Sequence, residues 1–326
     1  MSIKMTSLKI PTTYQADVLG PDYQQLVLEF PDDYEGKVVA TLVRKKNTQT
    51  TTKAILYIHG FIDYFFQTEM ADQFNQQGFD FYALDLRKYG RSRLGHQQLY
   101  NVRDLSEYDA EINKALEIIQ AEGHDAVLLS GHSTGGLICT LFAAHHPQHS
   151  LIKGLWANSP FYDFNMSEFE KNKALPQLSK LGRLLPNLTI PSGLNKWYVP
   201  SLHCHYHGEW NFNLEWKQPS YKMVKLSFVR AIYEAQKEIH AGVTLTIPTL
   251  VMHSHQTKNP KKWGIEAQTS DVILNVNDIQ KYAEKMIGDI RIQTIENGLH
   301  DLVLSAPKVR EQVYQNLFAW IKEKGI

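Results

Sequence analysis

Gly131-His132-Ser133-Thr134-Gly135-Gly136 places a serine between small residues, directly after an apolar run at 126–130 and directly before an apolar stretch at 137–144. A bare Gly-x-Ser-x-Gly pattern is weak, since about one chain in ten of this length would carry it by chance. The flanking runs make it specific. A sharp strand-to-helix turn forces the middle residue into a strained backbone, and glycines on either side avoid clashes. Such a turn presents the hydroxyl of Ser133 at the carboxyl end of a sheet, near helix N–H groups that face developing negative charge. The chemistry this suggests is nucleophilic attack on a carbonyl.

A serine hydroxyl needs a base. His300 follows an apolar run at 290–295 and the turn Glu296-Asn297-Gly298-Leu299, and it precedes the closing helix. His145, His146 and His149 fall at or beyond the end of the helix after Ser133, and His124 precedes a strand. An acid must orient the imidazole, and its place is after the strand at 249–252. Asp271 and Asp278 both qualify by position. The Ser270-Asp271-Val272-Ile273 context favours Asp271, whereas Asp278 reads as the cap of a helix starting near Ile279. The order Ser133, Asp271, His300 is that of α/β-hydrolases. Two N–H groups must also meet the alkoxide. Thr134 supplies one. The loop His59-Gly60-Phe61-Ile62, which bends at Gly60, supplies the other from Phe61.

These residues need a frame. Residues 24–30 and 37–43 read as a hairpin across Pro31-Asp32-Asp33-Tyr34-Glu35-Gly36. Apolar runs at 54–58, 79–84, 126–129, 152–157, 249–252 and 290–295 fit strands buried on both faces. Leu105, Tyr108, Ile112, Ala115, Leu116 and Ile119 form one helical stripe, and Val309, Val313, Leu317 and Trp320 another. Alternating strands and helices imply a mostly parallel sheet covered on both faces. The alternation stops between about Pro160 and Pro248. That stretch holds Pro176, Pro186, Pro191, Pro200 and Pro219, with Trp197, Trp210, Trp216, Tyr221 and Phe228 among its aromatics. It reads as a mostly helical insertion over one end of the sheet. The expected organisation is a core at 1–159, a cap at 160–247 and the rest of the core at 248–326.

The 326 residues are 43% hydrophobic and 21% charged, ordinary for a packed globular chain. Thirty-four Lys+Arg balance 34 Asp+Glu, so a global basic field for nucleic acid is absent. No apolar run reaches spanning length, and the first eleven residues lack a signal-peptide core. Two cysteines, Cys139 and Cys204, make no disulfide framework. A soluble cytoplasmic protein is the expectation. Cys139 reads as a small core residue. His203, Cys204, His205 and His207 would share a face on a strand and could hold a metal. They lack a second ligand cluster, and serine chemistry needs none, so no metal and no cofactor are expected.

His59-Gly60-Phe61-Ile62-Asp63-Tyr64-Phe65-Phe66, Asp85-Leu86-Arg87-Lys88-Tyr89-Gly90-Arg91-Ser92 and the Ser133 motif follow one another in order. With Asn158-Ser159-Pro160-Phe161 and Glu209-Trp210-Asn211-Phe212, they resemble the monoacylglycerol lipase and lysophospholipase branch of serine α/β-hydrolases, grouped with serine aminopeptidase-like hydrolases. The resemblance runs from about Gly20 to the C-terminus. It implies an eight-stranded sheet with a cap, Ser133 as nucleophile, Asp271 as acid, His300 as base, Phe61 and Thr134 as oxyanion donors, and Asp85 as a loop-organising residue. The segment 256–269, with Lys258, Lys261 and Lys262, is longer than the short turn usual in that branch. The implied partner is a small acyl ester or lipid-like molecule, with transient membrane-surface contact allowed. The expected activity is ester cleavage through an acyl-enzyme. An aminopeptidase, a thioesterase and a ligand-binding protein of little turnover would use the same frame. A serine at 133 disfavours haloalkane dehalogenases and the usual epoxide hydrolases, which need a carboxylate there.

Overall fold

The computed structural model describes residues 13–220 and 222–326. The N-terminal stretch read for targeting signals, and Tyr221, lie outside them. The chain opens with strands β1 (Gln15–Asp17), β2 (Gly20–Asp33), β3 (Gly36–Lys45) and β4 (Lys53–Ile58). Helix α1 (Thr68–Gln76), strand β5 (Asp80–Asp85), helix α2 (Asp109–Ala121), strand β6 (Ala126–His132), helix α3 (Thr134–His145) and strand β7 (Ile152–Asn158) follow. Residues 159–248 then leave the main sheet. They form α4 (Leu175–Leu184), β8 (Thr189–Pro191), α5 (Tyr198–Leu202), β9 (Met223–Lys225) and α6 (Leu226–Ala241). The chain returns as β10 (Thr249–Ser254), α7 (Val276–Ala283), β11 (Ile290–Ile295) and α8 (Pro307–Lys324).

Nine strands make one sheet in the order β1-β2-β3-β5-β4-β6-β7-β10-β11. β1 with β2, β2 with β3 and β3 with β5 pair antiparallel, and everything from β5 to β11 runs parallel. The ninth strand is β1, a three-residue edge against β2, too short to leave a pattern in the sequence. Burial follows position in the sheet. In β5 and β10 every residue is buried, whereas β2 buries alternate residues such as Leu26 and Leu28. Central parallel strands are covered on both sides; the outer hairpin is covered on one.

Period-two alternation divides each strand between two cores. Leu56, Ile58 and Leu129 pack with Ile112, Leu116 and Leu137 of α2 and α3. Ile55, Tyr57 and Leu128 pack with Phe74 of α1 and with Leu317 and Trp320 of α8. The predicted stripe before β6 is buried throughout, but Leu105 and Tyr108 sit on a separate 3₁₀ turn. There Asp104 and Glu107 form a capping box, and α2 itself starts at Asp109.

Helices are the main regular elements of the stretch 159–248, with one π-helical turn at Glu170–Ala174 leading into α4, but turns and irregular backbone make up more of it than the expected mostly helical insertion would have. It also contains a small antiparallel sheet, β8 with β9, which the sequence reading did not anticipate. Three-residue strands next to Pro191 offer no alternation to read. Among the described residues, no helix is long and apolar enough to cross a membrane.

Candidate active site

Ser133 sits between β6 and α3 with φ 53° and ψ −116°. Neighbouring glycines make this turn possible. A Cβ on Gly131 would lie 2.2 Å from the Gly135 carbonyl oxygen, and one on Gly135 would lie 2.3 Å from that of Ile58. Backbone bonds hold the turn to the end of β7. Ser133 N–H donates to Asn158 O at 2.9 Å, and Phe161 N–H donates to Ser133 O at 3.0 Å.

His300 comes to this turn from the loop after β11. Its Nε2 lies 3.0 Å from Ser133 Oγ, and its Nδ1 lies 2.8 Å from Asp271 Oδ2. The other oxygen of Asp271 accepts from the N–H groups of Ile273 and Leu274, both at 2.8 Å. The carboxylate is thus fixed at both oxygens. All three residues are buried, with Ser133 the most open at 7% exposure. The long segment before Asp271 closes on itself. Asp271 N–H donates to Gln256 O and Lys258 N–H donates to Asp271 O, both at 3.0 Å, so the excursion returns Asp271 to the end of β10.

Asp278 lies elsewhere. It falls in the first turn of α7 and pairs with Lys171 at 2.6 Å. The cap of that helix is Asn275, whose side chain accepts from Asn277 N–H, which corrects the reading of Asp278 as a cap. A residue two or three positions inside a helix start looks much like a cap in sequence.

Gly60 brings the loop after β4 against the serine: a Cβ there would be 3.2 Å from Ser133 Cβ. Phe61 and Thr134 both line the cavity that holds Ser133 and His300. Thr134 is the first residue of α3, where backbone N–H groups have no intrahelical partner. The Phe61 ring stacks on Phe228 of α6, with centroids 4.3 Å apart. Asp85 accepts from Phe65 N–H at 2.9 Å and from Arg91 at its N–H and guanidinium, so it organises loops, as expected.

Several neighbours were given no role of their own by the sequence reading. Asn158 donates to Asp301 at 2.8 Å and accepts from Leu302 N–H at 3.3 Å, tying the His300 loop to β7. The edge of the Tyr198 ring meets the His300 ring at 5.4 Å. His132 packs its ring 4.7 Å from that of His300, and burial holds it well below the usual histidine range, with His300 adding to this. Lys217 and Asp63, far apart in sequence, form a buried ion pair at 2.7 Å in the same cavity.

The histidine series is not a strand. Residues 204–207 are turns; the His203 and His205 rings meet, with centroids 4.7 Å apart, but His207 does not join them. His203 has both ring nitrogens engaged, with Phe212 O and with His205 N–H, and His207 stacks on Trp263. None of the three lines the cavity. Cys139 is buried in α3, and burial pushes its thiol well up, as befits a core residue.

The cavity measures about 730 Å³. Phe161, Phe164, Val199, Val224 and Val229 give it a mainly apolar wall, a common design for small-molecule sites. Asn165, Glu170, Asn195, Lys196, Gln218 and Lys222 line it too, and the arrangement suits attack on a carbonyl attached to a largely apolar group.

Solved structures share this fold at low identity. A soluble variant of monoglyceride lipase from Saccharomyces cerevisiae, in complex with a substrate analogue, is 15% identical. The match covers 98% of this chain and 99% of that one, with TM-score 0.64. Monoacylglycerol lipase of Paleococcus ferrophilus is 16% identical over 92% of this chain and 99% of that one, also with TM-score 0.64. Est1E of Butyrivibrio proteoclasticus, with ferulic acid bound, is 17% identical over 88% and 96%, with TM-score 0.56. Among curated proteins, none matches the chain significantly. The family model for serine aminopeptidase, S33, matches residues 49–307, a span containing the Ser133 turn, Asp271 and His300. The chain is therefore an α/β-hydrolase and belongs to the S33 serine aminopeptidase-like family of hydrolases.

Proposed function

We propose that the protein is a serine hydrolase of carboxylic esters, resembling monoacylglycerol lipases in its choice of an acyl ester or lipid-like substrate. The observation that carries this reading is the unbroken contact chain from Ser133 Oγ through His300 to Asp271 at one end of an apolar-walled cavity. His300 takes the serine proton as the oxygen attacks, Asp271 holds the ring and steadies its charge, and the N–H groups of Thr134 and Phe61 receive the oxyanion. His300 then protonates the leaving alcohol, and water resolves the acyl-enzyme along the same path. Exposed apolar side chains on the insertion, Phe169, Leu184, Leu185 and Met223, favour a substrate met at a lipid surface. The insertion 160–247 acts as the cap over the cavity.

Labelling with a fluorophosphonate probe tests the nucleophile: wild type is expected to label and Ser133→Ala is not. A panel of p-nitrophenyl esters of graded length, monoacylglycerols and aminoacyl anilides tests the substrate class. Turnover of esters with acyl chains long enough to use the apolar wall supports the proposal. Preference for aminoacyl anilides would make the protein a peptidase, and labelling without turnover of any panel member would make it a binding protein.

A further inference from the structure

The loop after β4 carries one of the two oxyanion donors of the proposed mechanism, and its backbone is strained beside that donor. Phe61 is followed by Ile62, which sits at φ 54°. This is left-handed backbone, costly for a β-branched residue and kept only where the surroundings enforce it. Before Ile62 the restraints are plain. The His59 ring donates from Nδ1 to Gly60 O at 2.8 Å and accepts from Leu86 N–H at Nε2, 3.1 Å away. The Phe61 ring lies between Phe228, stacked at 4.3 Å, and Tyr100, edge-on at 5.3 Å. After Ile62 stands Asp63. Its Oδ1 accepts from the N–H of its neighbour Tyr64 at 2.9 Å, a bond internal to the loop. Its Oδ2 meets Lys217 Nζ at 2.7 Å.

Lys217 comes from the insertion, and its place there is fixed. Lys217 N–H donates to Asn213 O at 2.9 Å, and Asn213 N–H donates to the Tyr64 hydroxyl at 2.7 Å. The Trp216 ring meets the Tyr64 ring at 5.0 Å, and Trp216 O accepts from the Tyr100 hydroxyl at 3.4 Å. The rings of Tyr198 and Phe66 face the ammonium at 5.3 and 5.6 Å. The side chains of Lys217 and Asp63 are only 2% and 1% exposed, and among the described residues neither has another ion-pair partner. Out of water, parting two such charges is costly, whereas apolar side chains slide past each other at little cost. The pair therefore sets the distance between the insertion and the far end of the strained turn.

We propose that Lys217 is a positioning residue for the oxyanion loop: its ammonium holds Asp63, and through Asp63 the Ile62 turn that presents the Phe61 N–H to the carbonyl under attack. The inference rests on the serine-hydrolase reading above and on Phe61 as a donor. Phe61, Ile62, Asp63 and Lys217 all line the cavity that holds Ser133. With Asp63 matching its charge, Lys217 acts on the loop and not on the substrate.

The test compares wild type, Lys217→Met and the double variant Lys217→Met/Asp63→Asn. Asparagine at 63 keeps the acceptor for Tyr64 N–H and removes the charge, so the double variant buries no lone carboxylate. Each is assayed on a p-nitrophenyl ester, with a trifluoromethyl ketone of the same acyl chain, whose adduct with serine carries an oxyanion, and with the matching straight-chain alcohol, which does not form one. Lys217→Met is expected to lower kcat by about 10- to 100-fold, short of the roughly 10²–10³ lost with a whole donor. Inhibition by the ketone should weaken in proportion, while KM and inhibition by the alcohol stay within about twofold, as befits a contact made in the transition state. In urea the double variant should unfold at a higher midpoint than Lys217→Met, yet its kcat and ketone affinity should stay low. Recovery of kcat together with stability in the double variant would reduce Lys217 to charge balance and overturn the inference. A loss confined to KM and alcohol binding would make Lys217 a substrate contact and overturn it too. Should Lys217→Met not fold, the double variant decides alone. A wild type that neither labels with fluorophosphonate nor turns over ester removes the hydrolase reading and this inference with it; an active wild type with unmoved kcat in both variants removes the inference alone.

Discussion

Asp271 differs from Asp278 less in chemistry than in what holds it. Asp271 has one oxygen on the His300 ring and the other on two backbone N–H groups, whereas Asp278 is engaged by Lys171 in a largely buried ion pair. An amide at 271 would still fit but would favour the wrong tautomer of His300. Asp271→Asn is expected to lower kcat for an ester by about 10³–10⁴-fold. Asp278→Asn should leave kcat within about twofold, its cost falling on stability, because the pair with Lys171 is largely buried. Steady-state kinetics on one p-nitrophenyl ester compares the two directly, and the reverse ranking would refute the assignment of Asp271. The Ser133 turn, His300 and the preference for Asp271 over Asp278 were all legible from residue type, order and flanking runs. Lys217 was not, because its meaning comes from a carboxylate on a different loop.

At the level of elements, the Ser133 turn works because backbone occupies the space where side chains would be. Gly135→Ala would drive a Cβ onto the carbonyl oxygens of Ile58 and His59, at 2.3 and 2.5 Å. Rigid carbonyls cannot step aside, so the variant is expected to lose about 1–3 kcal/mol or more in urea unfolding and to label poorly with fluorophosphonate. A second device is Asp85 at the end of β5. It accepts from Arg91, which also pairs with Asp17 of β1, and all three side chains are buried. Asp85→Ala leaves a buried guanidinium short of a partner, with an expected cost of about 3–5 kcal/mol by denaturant titration. Central strands and the α2 and α8 stripes were readable because burial on two faces, or one, writes a period into the residues. The β8–β9 pair was not, being three residues long and held by tertiary packing.

Across the whole molecule, burial of neutral histidines sets a response to acid. His59, His132 and His253 are buried, and desolvation lowers each from 6.5. Their folded-state values lie below the unfolded ones, so the unfolded chain binds more protons as pH falls. The stability they contribute is full above about 6.5 and is lost as pH drops through the depressed values. Tm measured between pH 8 and 5 should therefore be flat at first and decline below about 6.5. His253→Asn, which removes one such group outside the Ser133–His300 contact, should shrink the decline. A Tm that rises on acidification would contradict the picture.

Residue order and local pattern determined the fold class and pointed to the Ser133 turn and to His300, because each is written in neighbouring residues: glycines around a serine, apolar runs of strand length, a histidine after the last strand. Tertiary structure alone decided the distances that join Ser133, His300 and Asp271, how the long segment before Asp271 closes, and that Lys217 enters a buried ion pair with Asp63 beside the site. Those are matters of distance between segments remote in the chain, and charge pairing in a low-dielectric interior leaves no periodic trace in the sequence.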